Sequence, residues 1–180
     1  MCFVPENPAT MKEVKQLLEK MRKAQLDKDT KNAVSYLQAA TKRLDLLAKQ
    51  SPDDASFHLK KAELYISINA HKFAEKDLLK AISIDPQNAR TLYMLGKVYL
   101  KTSAFKLAAE AYDKFFLLDE SNPCGIQHAT VYFERAIARN GLYWYDEALD
   151  DLEKVAVLQP KMPQLEQSIA TIKKNKAAAQ

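Results

Sequence analysis

Glycine is scarce in this 180-residue chain, occurring three times. A turn-rich β-fold or a phosphate-cradling loop needs more of it, so neither is expected. Cysteine occurs only as Cys2 and Cys124, too few for a disulfide framework and consistent with a reducing compartment. No apolar run reaches the length of about 18 residues that a spanning helix requires. The opening MCFVPENPAT lacks the basic segment and apolar core of a secretory leader. A cytoplasmic location is the expectation, with the nucleus as the alternative. Strong charge of either sign is also missing: 27 Lys/Arg against 23 Asp/Glu give +4. That excess is local, because residues 1–50 hold ten basic residues against six acidic ones. A solvated helix face accounts for it more simply than nucleic acid does.

Chemistry-bearing constellations are equally thin. Cys124 and His128 form one pair at a loop-to-helix junction with no second pair beside it, which is not a metal-site pattern. His58 and His71 are solitary; the first reads as a packing position and the second as an inter-helix corner. No base accompanies Cys124 as a nucleophile. The acidic run Glu147, Asp150, Asp151 and Glu153 reads as a solvated helix face rather than as paired acid–base carboxylates. No catalytic residue, metal site, cofactor or small-molecule substrate is therefore expected.

What the chain does have is helical periodicity. From Ala89 to Asp119, Leu92, Leu95, Gly96 and Tyr99 share one helix face, and Ala108, Tyr112 and Phe115 share a second. Gly96 lies inside the first helix, where glycine costs about 1 kcal/mol against alanine. A partner helix approaching too closely for a β-carbon would explain it. The order of large apolar residue, Leu-Gly, Tyr, small residue and aromatic resembles the tetratricopeptide repeat (TPR) family.

Two further stretches share the pattern. Ala55 precedes Ala89 by 34 positions, with His58, Ala62 and Tyr65 in its first helix and Ala74, Leu78 and Ala81 in its second. A third begins near Ala129, carrying Tyr132, Ala136, Tyr145 to Ala148, and Leu152, with Arg139 where the pattern has tyrosine. The insertion Ser121-Asn122-Pro123-Cys124-Gly125 lengthens the interval before it. Repeats are thus expected at about 55–88, 89–122 and 129–162, with a capping helix at about 162–175. Residues 1–50 predict a hairpin: a helix starting at Asn7-Pro8 and ending near Asp27, then one capped by Asp29 or Thr30 with Ala33, Leu37, Ala40, Leu44 and Leu47 on its stripe. It is a degenerate repeat or a separate cap. The fold class that follows is all-α, a right-handed α-α superhelix, with domains at 1–50 and 51–180.

The resemblance implies that the first helix of each repeat lines a concave binding face. The positions concerned are Leu59, Glu63 and Ile66 in repeat one. Repeat two contributes Arg90, Tyr93, Lys97 and Leu100, and repeat three contributes Phe133, Ile137 and Asn140. This apolar row suits an apolar or amphipathic peptide. Alternatively, it is covered by the N-terminal hairpin or a second copy. Family members that clamp a C-terminal carboxylate use Lys, Asn and Arg where this chain has Leu59, Glu63, Met94, Thr130 and Glu134. That subclass is not expected. A non-catalytic protein-interaction adaptor is the first reading, with a protein or peptide partner. The others are a small TPR secretion chaperone, or a self-assembling scaffold subunit, with residues 1–50 as the candidate homodimer surface. The basic pI near 8.9 weighs against the chaperone. RNA binding is not expected, because Glu63, Lys97 and Ile137 at equivalent positions show no base-reading code.

Overall fold

The computed structural model describes residues 11–118 and 124–179. The expected helix start at Asn7-Pro8 and the insertion residues 121–123 lie outside them. Among the described residues there are nine helices and no strand. They are α1 (Met11–Leu26), α2 (Thr30–Gln50), α3 (Ser56–Ser67), α4 (His71–Ile84), α5 (Ala89–Lys101), α6 (Phe105–Leu118), α7 (His128–Gly141), α8 (Tyr145–Leu158) and α9 (Leu165–Ala178). The all-α class predicted from periodicity is what the chain adopts. It forms two compact units, Met1–Asp85 and Pro86–Gln180.

In each unit, consecutive helices pair as hairpins, and all four hairpins turn the same way. One residue in each turn is left-handed: Lys28 (φ 57°), Asn69 (58°), Ser103 (59°) and Tyr143 (64°). The N–H of the following residue then returns to a carbonyl five positions back. Asp29 bonds Ala24, Ala70 bonds Tyr65 and Ala104 bonds Tyr99, each at 2.8 Å, and Trp144 bonds Arg139 at 2.9 Å. This is the Schellman closure, which satisfies the last carbonyls of the first helix.

Five residues beyond each left-handed position stands an alanine: Ala33, Ala74, Ala108 and Ala148. Four further on come Leu37, Leu78, Tyr112 and Leu152, and three after that Ala40, Ala81, Phe115 and Val155. All twelve are buried. The small residue lets the paired helix approach, and the two after it fill the space between helices. On the facing helices, Ala62, Gly96 and Ala136 are the small partners, all buried; in the first hairpin Met21 stands in that place.

Gly96 shows how close the approach is. A Cβ there would lie 2.3 Å from Cε1 of Tyr112 on α6. The expectation of a helix packed too close for a side chain therefore holds, with a tyrosine ring as the obstacle.

Asp29 caps α2, accepting the Asn32 N–H at 3.1 Å, and Asn88 caps α5, accepting that of Thr91 at 3.0 Å. The last helix differs from expectation at both ends: it starts at Leu165, after the left-handed Gln164 (φ 69°), and runs to Ala178. It buries Leu165 and Ile172 against Ala136, Leu152 and Val155. No helix among the described residues is long and apolar enough to cross a membrane.

Candidate functional site

The helix stripes that build each hairpin leave the first helices with a second face. On α5, Leu92, Leu95, Gly96 and Tyr99 are buried, whereas Tyr93, Lys97 and Leu100 are half-buried and Arg90 is exposed. On α7, Phe133 and Asn140 are half-buried, and Ile137 is 39% exposed. Leu59, Glu63 and Ile66 are half-buried on α3, in the first unit. There Glu63 lines a small cleft of about 170 Å³ that α1 completes with Leu18, Met21, Arg22 and Gln25.

In the second unit α5 and α7 run side by side, and a carboxylate occupies their shared face. Glu134 of α7 accepts the Tyr112 hydroxyl at 2.9 Å. The Tyr93 ring packs on Tyr112 and Phe115 at 6.4 and 6.1 Å between centroids, and the Lys97 ammonium lies 5.4 Å from the Tyr93 ring centre. Burial pushes the Glu134 carboxyl above its ordinary value, against the Tyr112 hydrogen bond and the charges of Lys97 and Lys101. Burial, with the Glu134 charge second, lifts the Tyr93 phenol to about 12. Tyr93 is therefore part packing residue, which its place off the main stripe did not suggest.

A pH dependence follows from Glu134. A carboxyl whose pKa is higher in the folded than in the unfolded chain binds more protons when folded. Stability then falls as pH rises from the ordinary 4.5 through the raised value. Glu134→Gln keeps an acceptor for Tyr112 and removes the titration. Thermal unfolding between mildly acidic and mildly alkaline pH should show wild type losing stability relative to Glu134→Gln. Parallel curves would contradict the assignment.

Ile137 and Asn140 share a second, open cleft of about 360 Å³ with Gln164, Gln167, Ser168, Thr171 and Ile172. The Asn140 side-chain oxygen accepts from the Asn175 amide at 3.1 Å. Sequence reasoning missed these α9 residues. Their signal is the uncharged polar stripe Gln164, Gln167, Ser168 and Thr171, at helical spacing opposite Leu165 and Ile169. Phe133, by contrast, packs against the core formed with α8 and α9.

Two charged networks lie behind these faces, and the first corrects the sequence reading. Asp151 is fully buried rather than solvated. It accepts from Arg135 Nε and Nη2 at 2.9 and 2.6 Å, and from Arg139 Nη1 at 2.8 Å. Arg135 Nη1 also donates to Asp113 at 2.6 Å. Burial disfavours the Arg135 charge, but Asp151 and then Asp113 outweigh it and hold the guanidinium above its ordinary value. Arg139 thus replaces the pattern's tyrosine by joining this network. His58 is buried, as its packing position requires, and also joins a charged network: its Nδ1 lies 3.0 Å from Asp77, and Lys61 pairs with Asp77 and Asp45 at 3.1 and 2.6 Å. Asp77 and Asp151 each stand eight positions beyond the left-handed turn residue, and Lys61 and Arg135 eight before it. These networks join helices. No group of three or more His, Cys, Asp or Glu residues that could hold a metal occurs among the described residues.

The sequence profile described as tetratricopeptide repeat matches residues 55–88 and 89–122, the same bounds that the 34-residue spacing gives. The chain carries two tetratricopeptide repeats, over residues 55–122. Solved TPR structures agree with its fold. The crystal structure of MamA protein superposes with a TM-score of 0.72 at 18% identity, over 93% of this chain and 85% of that one. The Arabidopsis OM64 TPR domain gives 0.60 at 22% identity, over 67% and 94%. The second TPR domain of human RPAP3, solved with the HSP70 peptide SGPTIEEVD, gives 0.57 at 23%, over 64% and 92%. No curated protein is close enough in sequence to count as a relative. The TPR profile does not extend over α7 and α8, yet that hairpin has the same turn and the same alanine register.

Proposed function

We propose that this TPR protein is a non-catalytic interaction adaptor whose first-helix face holds an apolar or amphipathic peptide segment. The residues we assign to it are Leu59, Glu63, Ile66, Arg90, Tyr93, Lys97, Leu100, Phe133, Ile137 and Asn140. The observation that carries the reading is the second-unit face itself. Tyr93, Leu100 and Ile137 keep part of their apolar surface open there, beside a cleft lined by uncharged amide and hydroxyl groups. Such a surface can bury an apolar side chain while its amides pair with the peptide's main chain. Residues 11–50 we read as a degenerate fourth repeat, because their turn and alanine register are those of the other hairpins. As a stacked repeat the hairpin would extend the face rather than fill it.

We further propose that the face does not clamp a C-terminal carboxylate. Glu134 sits among its residues with its charge only partly compensated, and Met94 is buried. A carboxylate entering there would meet a like charge in a region of reduced dielectric. The peptide SGPTIEEVD should give no measurable heat in titration calorimetry at submillimolar concentration. Binding that is lost on Glu134→Lys, or left unchanged by it, would equally count against this part of the account.

Peptides selected from a displayed random library on the immobilised full chain test the main reading. Tyr93→Ala combined with Ile137→Ser should weaken their binding at least tenfold, with the circular dichroism of the chain unchanged. Phe133 is left out because its half-buried ring also packs against the core. Unaltered affinity in the double variant would remove the assignment.

A further inference from the structure

We propose that the protein associates head to tail, the exposed basic face of α1 on one copy seating on the outer face of α8 on another. The receiving surface is an open cleft of about 650 Å³ walled by Tyr132, Asp150, Glu153, Lys154, Val157 and Leu158. It does not involve the peptide face assigned above. The buried stripe of α8 is Ala148, Asp151, Leu152 and Val155. Helical spacing therefore sends Asp150, Glu153 and Val157 to the opposite side. Val157 is 82% exposed and Leu158 56%, so an apolar strip ends an acidic one. Asp146, one turn earlier, already pairs with Lys176. Asp150 and Glu153 are the carboxylates that can receive an incoming cation.

The first helix is the counterpart. It buries Val14, Met21 and Ala24, which turns Lys12, Glu19, Lys23 and Leu26 outward, with Lys15 and Lys20 on the shoulders. All six are exposed. Leu26, in the last turn, is 82% exposed, as Val157 is in the last turn of α8. These are the two most exposed large aliphatic residues among those described, one on a basic helix and one on an acidic helix. Opposite charge aligns the two surfaces and favours this partner over like-charged ones, while the aliphatic ends lose water contact together. That complementarity, of charge and of the solvated aliphatic side chain, identifies the occupant as α1 of a second copy.

In this head-to-tail arrangement each added copy leaves one α1 and one α8 free, so the assembly grows with concentration. Its ion pairs are solvent-exposed and therefore weak and screened by salt.

Sedimentation velocity on the full chain tests this. At low salt the weight-average sedimentation coefficient should rise steadily with protein concentration, and at about 0.5 M salt, where the Debye length is only a few ångströms, it should fall to the monomer value. Lys12→Glu with Lys23→Glu should abolish association, and so should Asp150→Lys with Glu153→Lys, each without loss of helical signal. In either variant alone the two faces carry like charge. Mixed in equal amounts, they again offer opposite charges at both contacts, and association should return. A monomer at every concentration would overturn the proposal, as would variants that still associate or a mixture that stays monomeric. Loss on reversing α1 but not α8 would place the contact between two N-terminal hairpins and overturn it equally. The Tyr93→Ala, Ile137→Ser chain should associate like wild type, which keeps this outcome separate from that of the peptide face.

Discussion

Asp151→Ala should destabilise the second unit by about 3–5 kcal/mol, the cost of leaving a buried charge without its partner. Asp151 is fully buried and accepts three hydrogen bonds from Arg135 and Arg139. After its removal Asp113 is, among the described residues, the carboxylate still paired with Arg135 and Arg139, and its side chain is 48% exposed and screened by water. Two neighbouring substitutions set the scale. Asp150→Ala, on the exposed side of the same helix, should stay within about 0.5 kcal/mol of wild type. Asp77→Ala, at the equivalent position of the first unit, should cost less than Asp151→Ala, because it takes a carboxylate from one ammonium, Lys61, and not from two guanidinium groups. Urea unfolding of the three variants, with slopes compared to confirm a common transition, gives the order directly. Equal losses for Asp150 and Asp151 would show that the network contributes nothing.

Gly96→Val should cost about 3 kcal/mol, the upper end of the usual range for overpacking. A β-carbon alone would stand 2.3, 2.6 and 2.7 Å from three atoms of the Tyr112 ring. That ring cannot swing aside cheaply, since it is fully buried and its hydroxyl is tied to Glu134. Valine adds two methyl groups to this overlap, while the gain from replacing glycine in a helix is at most about 1 kcal/mol. The cause can be separated from a general intolerance of α5. In a Tyr112→Ala background the valine would enter the space the ring vacates. The double variant should then be more stable than the sum of the two single losses by about 1–3 kcal/mol. Additive losses would mean that the glycine is required for some other reason.

Most of the fold can be read from the sequence because its determinants are local. Small and large apolar residues recur at helical spacing, and the interval from Ala55 to Ala89 fixes the repeat. The N-terminal hairpin carries the same three-residue register at Ala33, Leu37 and Ala40, but its facing helix has Met21 and Ala24 where the others have a small residue and an aromatic or arginine. Without those landmarks the apolar stripe reads only as a generic helix pair. The buried charges were hidden for a different reason. Asp151 sits in an acidic run whose other members face water, and its partners Arg135 and Arg139 lie 16 and 12 positions away, on another helix. Composition near Asp151 therefore suggests a solvated surface, and only the packing of α7 on α8 reveals the exception. The same limit applies to the proposed peptide face. Helical spacing separates Tyr93, Lys97 and Ile137 from the packing stripe. It does not show that Tyr93 leans on Tyr112, that Phe133 packs against the core, or that α9 contributes Gln167 and Thr171 to a shared cleft.

The central claim is that a peptide lies along the first-helix face. Amide chemical-shift mapping of the full chain with a library-selected peptide tests it most directly. Shifts should concentrate on α5, α7 and the polar side of α9, including Tyr93, Lys97, Ile137, Asn140 and Gln167, with α6 and α8 little changed. Shifts confined to α6, α8 or the turns between helices would contradict it.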